Sequence, residues 1–135
     1  MSEQNVEIVR RGYALFAAGD LEGVAALVSP EADVAGGGGL GIAGTMGIRH
    51  GPAGMLHAMQ EVLEAFEDYH VKLEEIIDAG EVVIAAVLIS GRGRTSGLSQ
   101  QERYAHLWVL RDGKVTHGEV HRTIAEARES AGLQA

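Results

Sequence analysis

The sequence predicts an α+β domain in which three N-terminal helices pack on one face of an antiparallel meander. Apolar residues recur at three- and four-residue spacing in the first half of the chain, and beyond His70 they alternate with a period of two. Short turn signals separate the alternating segments. The chain has 135 residues, a length that suits one hydrophobic core, so residues 1–135 are expected to form a single domain.

The first two helices are predicted from an apolar stripe and two end signals. The stripe predicts a helix over residues 3–18, and its members are Val6, Val9, Tyr13 and Phe16. Gly19 suits the position after a helix end, and Asp20 can cap a second helix. We expect this short helix to run from Leu21 to Val28. Pro30 would end it, because the residue before a proline is pushed out of helical conformation.

Residues 36–54 contain nine glycines among nineteen residues, which predicts a flexible loop. Fixing so many glycines in one conformation has a high entropic cost. The segment Gly39–Gly44 of this loop fits the glycine pattern of dinucleotide-binding turns. No helix can follow directly, since Pro52 and the residues before it intervene, so no nucleotide site is expected. Pro52 suits the start of a third helix, running to about Phe66.

The second half predicts four strands and a short final helix. The strands are expected from Val71 onward and over Val82–Ser90, Gln101–Leu110 and Val115–Arg122. The sequence Arg111-Asp112-Gly113-Lys114 predicts a tight hairpin between the third and fourth strands. Thr123 and Glu126 have the spacing of a capping box, and Gly132 is expected to end the helix that they begin.

Composition and charge exclude several classes of function. The net charge is −8, so we expect neither nucleic acid nor an anionic membrane as a partner. The chain has no cysteine, which excludes a disulfide, a thiolate nucleophile and a cysteine-based zinc site. The N-terminus lacks the basic and apolar regions of a signal peptide, and the apolar run Val82–Ile89 is too short to span a bilayer. A cytoplasmic location is therefore expected.

Three segments together resemble one known family. They are Gly19-Asp20-Leu21-Glu22-Gly23, Asp112-Gly113-Lys114-Val115, and Ala125-Glu126-Ala127 followed by Ala131-Gly132-Leu133. Their order and spacing are similar to those of the nuclear transport factor 2-like superfamily, most of all its SnoaL-like branch of polyketide cyclase and ketosteroid isomerase relatives. The resemblance implies a cone: a strongly curved sheet around three helices, with an internal pocket for a small apolar molecule. It also implies a homodimer formed through the sheet. In such a cone we expect the loop over residues 36–54 to cover the mouth of the pocket and to become ordered when the pocket is filled.

At most positions where these relatives have a catalytic residue, this sequence has a different residue type. The tyrosine of the ketosteroid isomerases falls on Gly12, next to Tyr13, and their two aspartates fall near Gly36 and on His106. The aspartate of the polyketide cyclases falls on Thr123. Steroid isomerisation through paired carboxyl groups is therefore not expected.

Alternation along the last two strands groups the candidate catalytic residues. Tyr104, His106 and Trp108 share one face of their strand, and His117, Glu119 and His121 share a face of the next. If the family's inward aspartates mark the register, both groups point into the cone. His106 or His121 would then transfer a proton, with Glu119 holding an imidazole tautomer. His117 and His121 lie about 13 Å apart on a strand, too far to share an ion, so neither a metal nor another cofactor is expected.

Two functions remain open from the sequence. One is acid–base cyclisation or isomerisation of an apolar, carbonyl-bearing molecule, and the other is binding of a small ligand without turnover. The candidate ligand-binding residues are Tyr13, Tyr104, Trp108, Asp33 and His57. The aromatic residues could equally be ordinary core, Asp33 could lie at a strand end on the surface, and His57 could be a solvated helix position.

Overall fold

A computed structural model describes residues 2–35 and 48–133, which form four helices and six strands. The helices are α1 (Ser2–Ala17), α2 (Leu21–Ala25), α3 (Gly51–Ala65) and α4 (Ile124–Ser130). The strands are β1 (Val28–Ala35), β2 (Ile48–His50), β3 (Phe66–Ala79), β4 (Val82–Gly93), β5 (Ser99–Arg111) and β6 (Lys114–His121). None of the helices in these two ranges is long and apolar enough to span a membrane.

The six strands form one curved sheet in the order β2-β1-β6-β5-β4-β3. The strands β3 to β6 make the antiparallel meander that the sequence predicts. The strand β1 lies parallel to β6, and β2 pairs antiparallel with the outer edge of β1. The α+β class and the helices packed on a mostly antiparallel sheet are confirmed.

Sequence patterns of a few residues predict several helix ends and a hairpin turn correctly. Gly19 follows α1 with a positive φ of 80°, and the Asp20 carboxylate accepts a hydrogen bond from the Gly23 backbone N–H at 2.9 Å. Asp112 and Gly113 have φ values of 53° and 77°, as a type I′ hairpin turn requires. These conformations depend on the residue and its immediate neighbours, so the sequence suffices to predict them.

The prediction that α2 continues to Val28 is wrong. The helix ends at Ala25, and Val28 begins β1, where it pairs with Val115 of β6. The Val115 backbone N–H donates to the Leu27 carbonyl at 2.9 Å, which draws this segment onto the sheet. Pro30 is accommodated within β1 because the register of the β1–β6 ladder shifts between Val28 and Asp33.

The prediction of a loop over residues 36–54 is wrong for residues 48–54, which belong to a strand and a helix. Residues 36–47, including the glycine pattern of Gly39–Gly44, lie outside the described residues, so the expected flap stays a prediction there. Ile48–His50 is a strand, and α3 begins at Gly51. Gly51 has a φ of 68°, and a Cβ there would lie 3.0 Å from the Pro30 carbonyl oxygen, so glycine is required for this close approach.

The sheet has two faces with different coverings. We call the face packed against α1 and α3 the inner face; its buried residues include Val83, Val87 and Ile89. We call the opposite face, which packs against α4 through Ile84 and Leu107, the outer face. Alternate residues of each strand therefore belong to separate hydrophobic clusters.

Candidate functional site

A cavity of about 130 Å³ lies between the helices and the inner face. Its wall is mostly aliphatic and aromatic, with residues from α1, α2, α3 and the inner sides of β3, β5 and β6; they include Ile8, Phe16, Val24, Met55, Met59, Val71 and Val120. Such a wall favours an apolar ligand, and the few polar groups in it would fix the orientation of that ligand.

Tyr13, His106 and Trp108 form a hydrogen-bonded group in the wall of this cavity, which we call the inner group. The Tyr13 hydroxyl lies 2.7 Å from His106 Nδ1 and accepts a hydrogen bond from Trp108 Nε1 at 2.9 Å. The rings of Tyr13 and His106 are stacked, with centroids 6.0 Å apart and planes 11° from parallel. The Trp108 ring meets His106 edge-on at 5.9 Å. These contacts fix both the position and the orientation of the phenol group.

Local structure explains why these three side chains meet. Tyr13 lies on the apolar stripe of α1, and His106 and Trp108 are two residues apart on β5, so both point to the inner face. Gly118 of β6 lies opposite Trp108 in the sheet register. A Cβ at Gly118 would come within 2.6 Å of the Trp108 ring, so the glycine leaves the space that the indole occupies.

The cavity keeps its phenol groups protonated. Burial raises the pKa of Tyr13 well above its usual range, and the hydrogen bond from Trp108 only partly opposes this effect. Burial likewise raises the pKa of Tyr69, which also lines the cavity. At neutral pH these side chains therefore act as neutral hydrogen-bond donors and not as phenolate bases.

Tyr104 lies on the inner face, as predicted, and is buried in the core. Its hydroxyl donates a hydrogen bond to the Glu102 carboxylate, and the Arg122 guanidinium lies 5.1 Å from the centre of its ring. The cavity wall, as far as it is described, does not include Tyr104. The structure therefore brings Tyr13, His106 and Trp108 together and leaves Tyr104 outside the group.

The expectation that His117, Glu119 and His121 also point into the cone is corrected by the register. Val120, not His121, lies opposite His106, so the three polar side chains point to the outer face. Glu119 borders the cavity through its place in β6, but its carboxylate accepts hydrogen bonds at 2.6 Å from Ser130 of α4 and from the Nε2 atoms of both histidines. We call these four residues the outer cluster.

The outer cluster holds its carboxylate in the charged form. Partial burial opposes ionisation of Glu119, but the hydrogen bonds from Ser130, His117 and His121 outweigh it and lower the pKa to about 2. In the described residues, no group of three or more His, Asp or Glu side chains has an arrangement that could hold a metal ion. The Nε2 atoms of the two histidines contact different oxygens of one carboxylate.

Asp33 and His57 are surface residues. Asp33 lies beside His117 on the outer side of β1, and its carboxylate is 2.6 Å from His50 Nδ1; the two side chains are 51% and 75% exposed. His57 is exposed on α3, at a shallow surface depression that it shares with Gln60 and Glu64. Neither side chain is part of the described cavity wall.

Tyr69 is a cavity residue that the sequence analysis missed. It lies two residues before Val71, on the same side of β3, and both line the cavity. Extending the alternation of Val71 and Leu73 backwards by one step would have found it. The prediction that β3 begins at Val71 is wrong, since Phe66 is the first residue of this strand.

The curved sheet, the helices on its inner face and the apolar cavity between them define a cone-shaped protein. The SnoaL-like domain family profile matches residues 9–118, so the chain belongs to this family. None of the curated proteins compared with the chain matches it.

Solved structures show the same fold. A nuclear transport factor 2-like protein of unknown function from Burkholderia pseudomallei is 24% identical, with a TM-score of 0.78 over 93% of this chain and 95% of that one. TerC, co-crystallised with polyporic acid, is 25% identical, with a TM-score of 0.76 over 93% and 96%. A putative polyketide cyclase from Sinorhizobium meliloti is 17% identical, with a TM-score of 0.67 over 85% and 94%.

Proposed function

We propose that the protein binds a small, largely apolar, carbonyl-bearing molecule in the cavity and catalyses its cyclisation or isomerisation by acid–base chemistry. The observation that carries this proposal is the Tyr13 hydroxyl, held by His106 and Trp108 in an apolar wall. A hydrogen-bond donor fixed in a low-dielectric site stabilises negative charge that develops on a carbonyl oxygen. In this scheme Tyr13 donates to the carbonyl oxygen, solvent water takes up the α-proton that the ligand loses, and His106 exchanges its proton with Tyr13.

The geometry allows two arrangements of the shared proton. When His106 Nδ1 carries a proton, it and Trp108 both donate to the Tyr13 oxygen, and the phenol proton is directed to the ligand carbonyl. When Nδ1 is unprotonated, the phenol donates to the imidazole instead. Exchange between these arrangements changes the donor strength of Tyr13 toward the ligand, and an imidazole can exchange its proton near neutral pH.

The comparisons support a carbonyl ligand at the level of the family. One structural relative is described as a putative polyketide cyclase, and another was co-crystallised with polyporic acid. Of the three catalytic residues expected from the sequence, this proposal retains His106. His121 and Glu119 are not included, since their side chains form the outer cluster.

The test is enolisation of 2-tetralone, an apolar bicyclic ketone, followed by NMR as exchange of its α-protons in D2O. We expect the wild-type protein to accelerate exchange, and Tyr13→Phe and His106→Gln to reduce the protein-dependent rate by about 100-fold, a typical size for general acid–base catalysis. His117→Gln, in the outer cluster, is the matched control and should retain the wild-type rate. Equal rates for wild type and Tyr13→Phe would refute the proposal.

Ligand binding without turnover is the second candidate function. It is favoured by the direction of the Glu119 carboxylate, which leaves the described part of the cavity wall without an inward carboxylate. Trp108 is the only tryptophan of the chain, so its fluorescence reports directly on filling of the cavity. Quenching by 2-tetralone or polyporic acid without any accelerated exchange would select this function.

We also propose that the chain forms a homodimer, as the resemblance implies. The contact would use the outer side of β1 and β2, whereas α4 packs against β4, β5 and β6. An isologous contact there would bring the Asp33–His50 pairs of two copies to the same interface. Sedimentation at the monomer mass at micromolar concentration would contradict this proposal.

A further inference from the structure

Tyr69 of β3 also forms part of the cavity wall, but it does not belong to the inner group. Its ring meets the edge of Phe16 at a centroid distance of 6.0 Å and packs at 6.0 Å against Phe66. A Cβ at Gly91 would touch the Tyr69 ring at 3.3 Å, so β4 also limits where the ring can go. Packing on three sides fixes the ring of Tyr69, and with it the direction of the hydroxyl.

The three tyrosines of the protein differ in the partners of their hydroxyl groups. The Tyr13 hydroxyl is bonded to Trp108 and His106, and the Tyr104 hydroxyl to Glu102. Among the described residues, none hydrogen-bonds the hydroxyl of Tyr69. Tyr69 is half-buried and lines the cavity, so a ligand there can take the hydrogen bond that its hydroxyl otherwise makes to water.

Tyr13 and Tyr69 both line the cavity. Burial is the main reason that the pKa of each phenol is raised, so both groups remain protonated at neutral pH. A ligand in the cavity therefore meets two neutral phenol donors, one already held by protein partners and one available.

We propose that Tyr69 donates a hydrogen bond to a second oxygen of the ligand, so that the cavity selects dioxygenated molecules over otherwise matched monoketones. This inference rests on the proposed function, in which Tyr13 contacts the first carbonyl. It narrows the ligand class to compact dicarbonyl or hydroxycarbonyl compounds. Tyr69 is a positioning residue in this scheme, and no proton transfer is assigned to it.

The experiment compares two matched ligand pairs by calorimetric titration and by quenching of Trp108 fluorescence. The first pair is 2,2-dimethylindan-1-one and 2,2-dimethylindane-1,3-dione, and the second is 4-ethylacetophenone and 1,4-diacetylbenzene. Within each pair the second carbonyl is the main difference, and the two pairs sample a short and a long spacing between oxygens.

We expect the wild-type protein to bind the diketone of at least one pair about three- to tenfold more tightly, as one additional neutral hydrogen bond allows. Tyr69→Phe should abolish this preference and leave monoketone affinity unchanged. Tyr104→Phe removes a buried hydroxyl outside the described cavity wall and should retain the preference. A structural defect in Tyr69→Phe would instead weaken both members of a pair equally, and that result would overturn the inference.

The two proposals fail in different ways. If the wild-type protein shows no preference in either pair, or Tyr69→Phe keeps it, the selection by Tyr69 is refuted. If Tyr13→Phe binds both monoketones as tightly as the wild-type protein does, the proposed contact of Tyr13 is refuted while the diketone preference can persist.

Discussion

The inner group and the outer cluster lie on opposite faces of the sheet at strands β5 and β6, and their polar atoms have different surroundings. On the inner face, an indole N–H and an imidazole nitrogen contact one phenol oxygen, and the remaining described wall is mostly apolar. On the outer face, two imidazoles and a hydroxyl surround one carboxylate that is 29% exposed. Both groups contain histidine, but only the inner one presents its polar atoms to the described cavity.

The difference shows that clustering of titratable residues is a weak indicator of a binding site. The outer cluster has more ionisable groups, yet its carboxylate oxygens are already satisfied within the protein. The inner group has fewer, but it sits in a wall of low polarity, where a single hydrogen bond is electrostatically stronger. Enclosure therefore distinguishes the two groups better than charge does.

The largest expected effect comes from Gly118→Ala, which would break the inner group alone. The new methyl carbon would lie 2.6 Å from Trp108 Cζ3, so the indole must move and release Tyr13. We expect a loss of about 1–3 kcal/mol in the free energy of unfolding, as overpacking typically costs, measured by urea denaturation.

Gly12→Ala is the matched control for this substitution. Gly12 also lines the cavity, but a Cβ there would meet only Leu27 Cδ1, at an ordinary 3.6 Å. Because Gly12 lies inside α1, alanine should stabilise the protein by about 0.5–1 kcal/mol. A loss of stability in both variants would show that the Trp108 contact is not the cause.

The second effect concerns the outer cluster and its pH dependence. The pKa of Glu119 is about 2 in the folded protein and ordinarily 4.5, so ionised Glu119 stabilises the fold above about pH 5. This contribution is lost as the pH falls from about 5 to about 2, because the unfolded chain takes up the proton first. Allowing for solvent screening, we expect about 1–2 kcal/mol.

Glu119→Gln provides the comparison for this pH effect. Unfolding free energies of the wild-type protein and the variant should differ most above pH 5 and converge toward pH 2. Binding of 2-tetralone, followed by Trp108 fluorescence, should be unchanged in the variant, since the carboxylate points away from the cavity. Parallel stability curves over this pH range would contradict the assigned role of the carboxylate.

The smallest effect is expected from Thr123→Ala at the start of α4. The Thr123 hydroxyl accepts a hydrogen bond from the Glu126 backbone N–H at 3.1 Å, and losing such a cap costs about 1 kcal/mol or less. The melting temperature should fall slightly and be restored in Thr123→Ser. Because α4 covers only the outer face, ligand binding in the cavity should not change; weaker binding would show that the two faces are coupled.

The sequence predicted the residues of the inner group better than their arrangement. Tyr13, His106 and Trp108 were all candidates, because a helical stripe and strand alternation identify residues that point toward a core. Their mutual hydrogen bonds join α1 to β5 over more than ninety residues of sequence, and no local pattern encodes such a contact.

The outer cluster illustrates what alternation leaves undecided. Alternation with a period of two puts His117, Glu119 and His121 on one side of a strand, but it does not indicate which side faces the helices. The register of β6 against β5 settles this, with Val120 opposite His106. A shift of one residue would have exchanged the two faces.

The sequence by itself determined the α+β class, the turn at Asp112-Gly113 and the ends marked by Gly19, Asp20 and Thr123. Each depends on backbone preferences and hydrogen bonds within a few residues, which short patterns report directly. The tertiary structure alone decided that Val28 begins a strand, since its hydrogen bonds come from β6 far along the chain. It also decided which polar residues meet the cavity, because that depends on strand register and on the helices that close one face of the sheet.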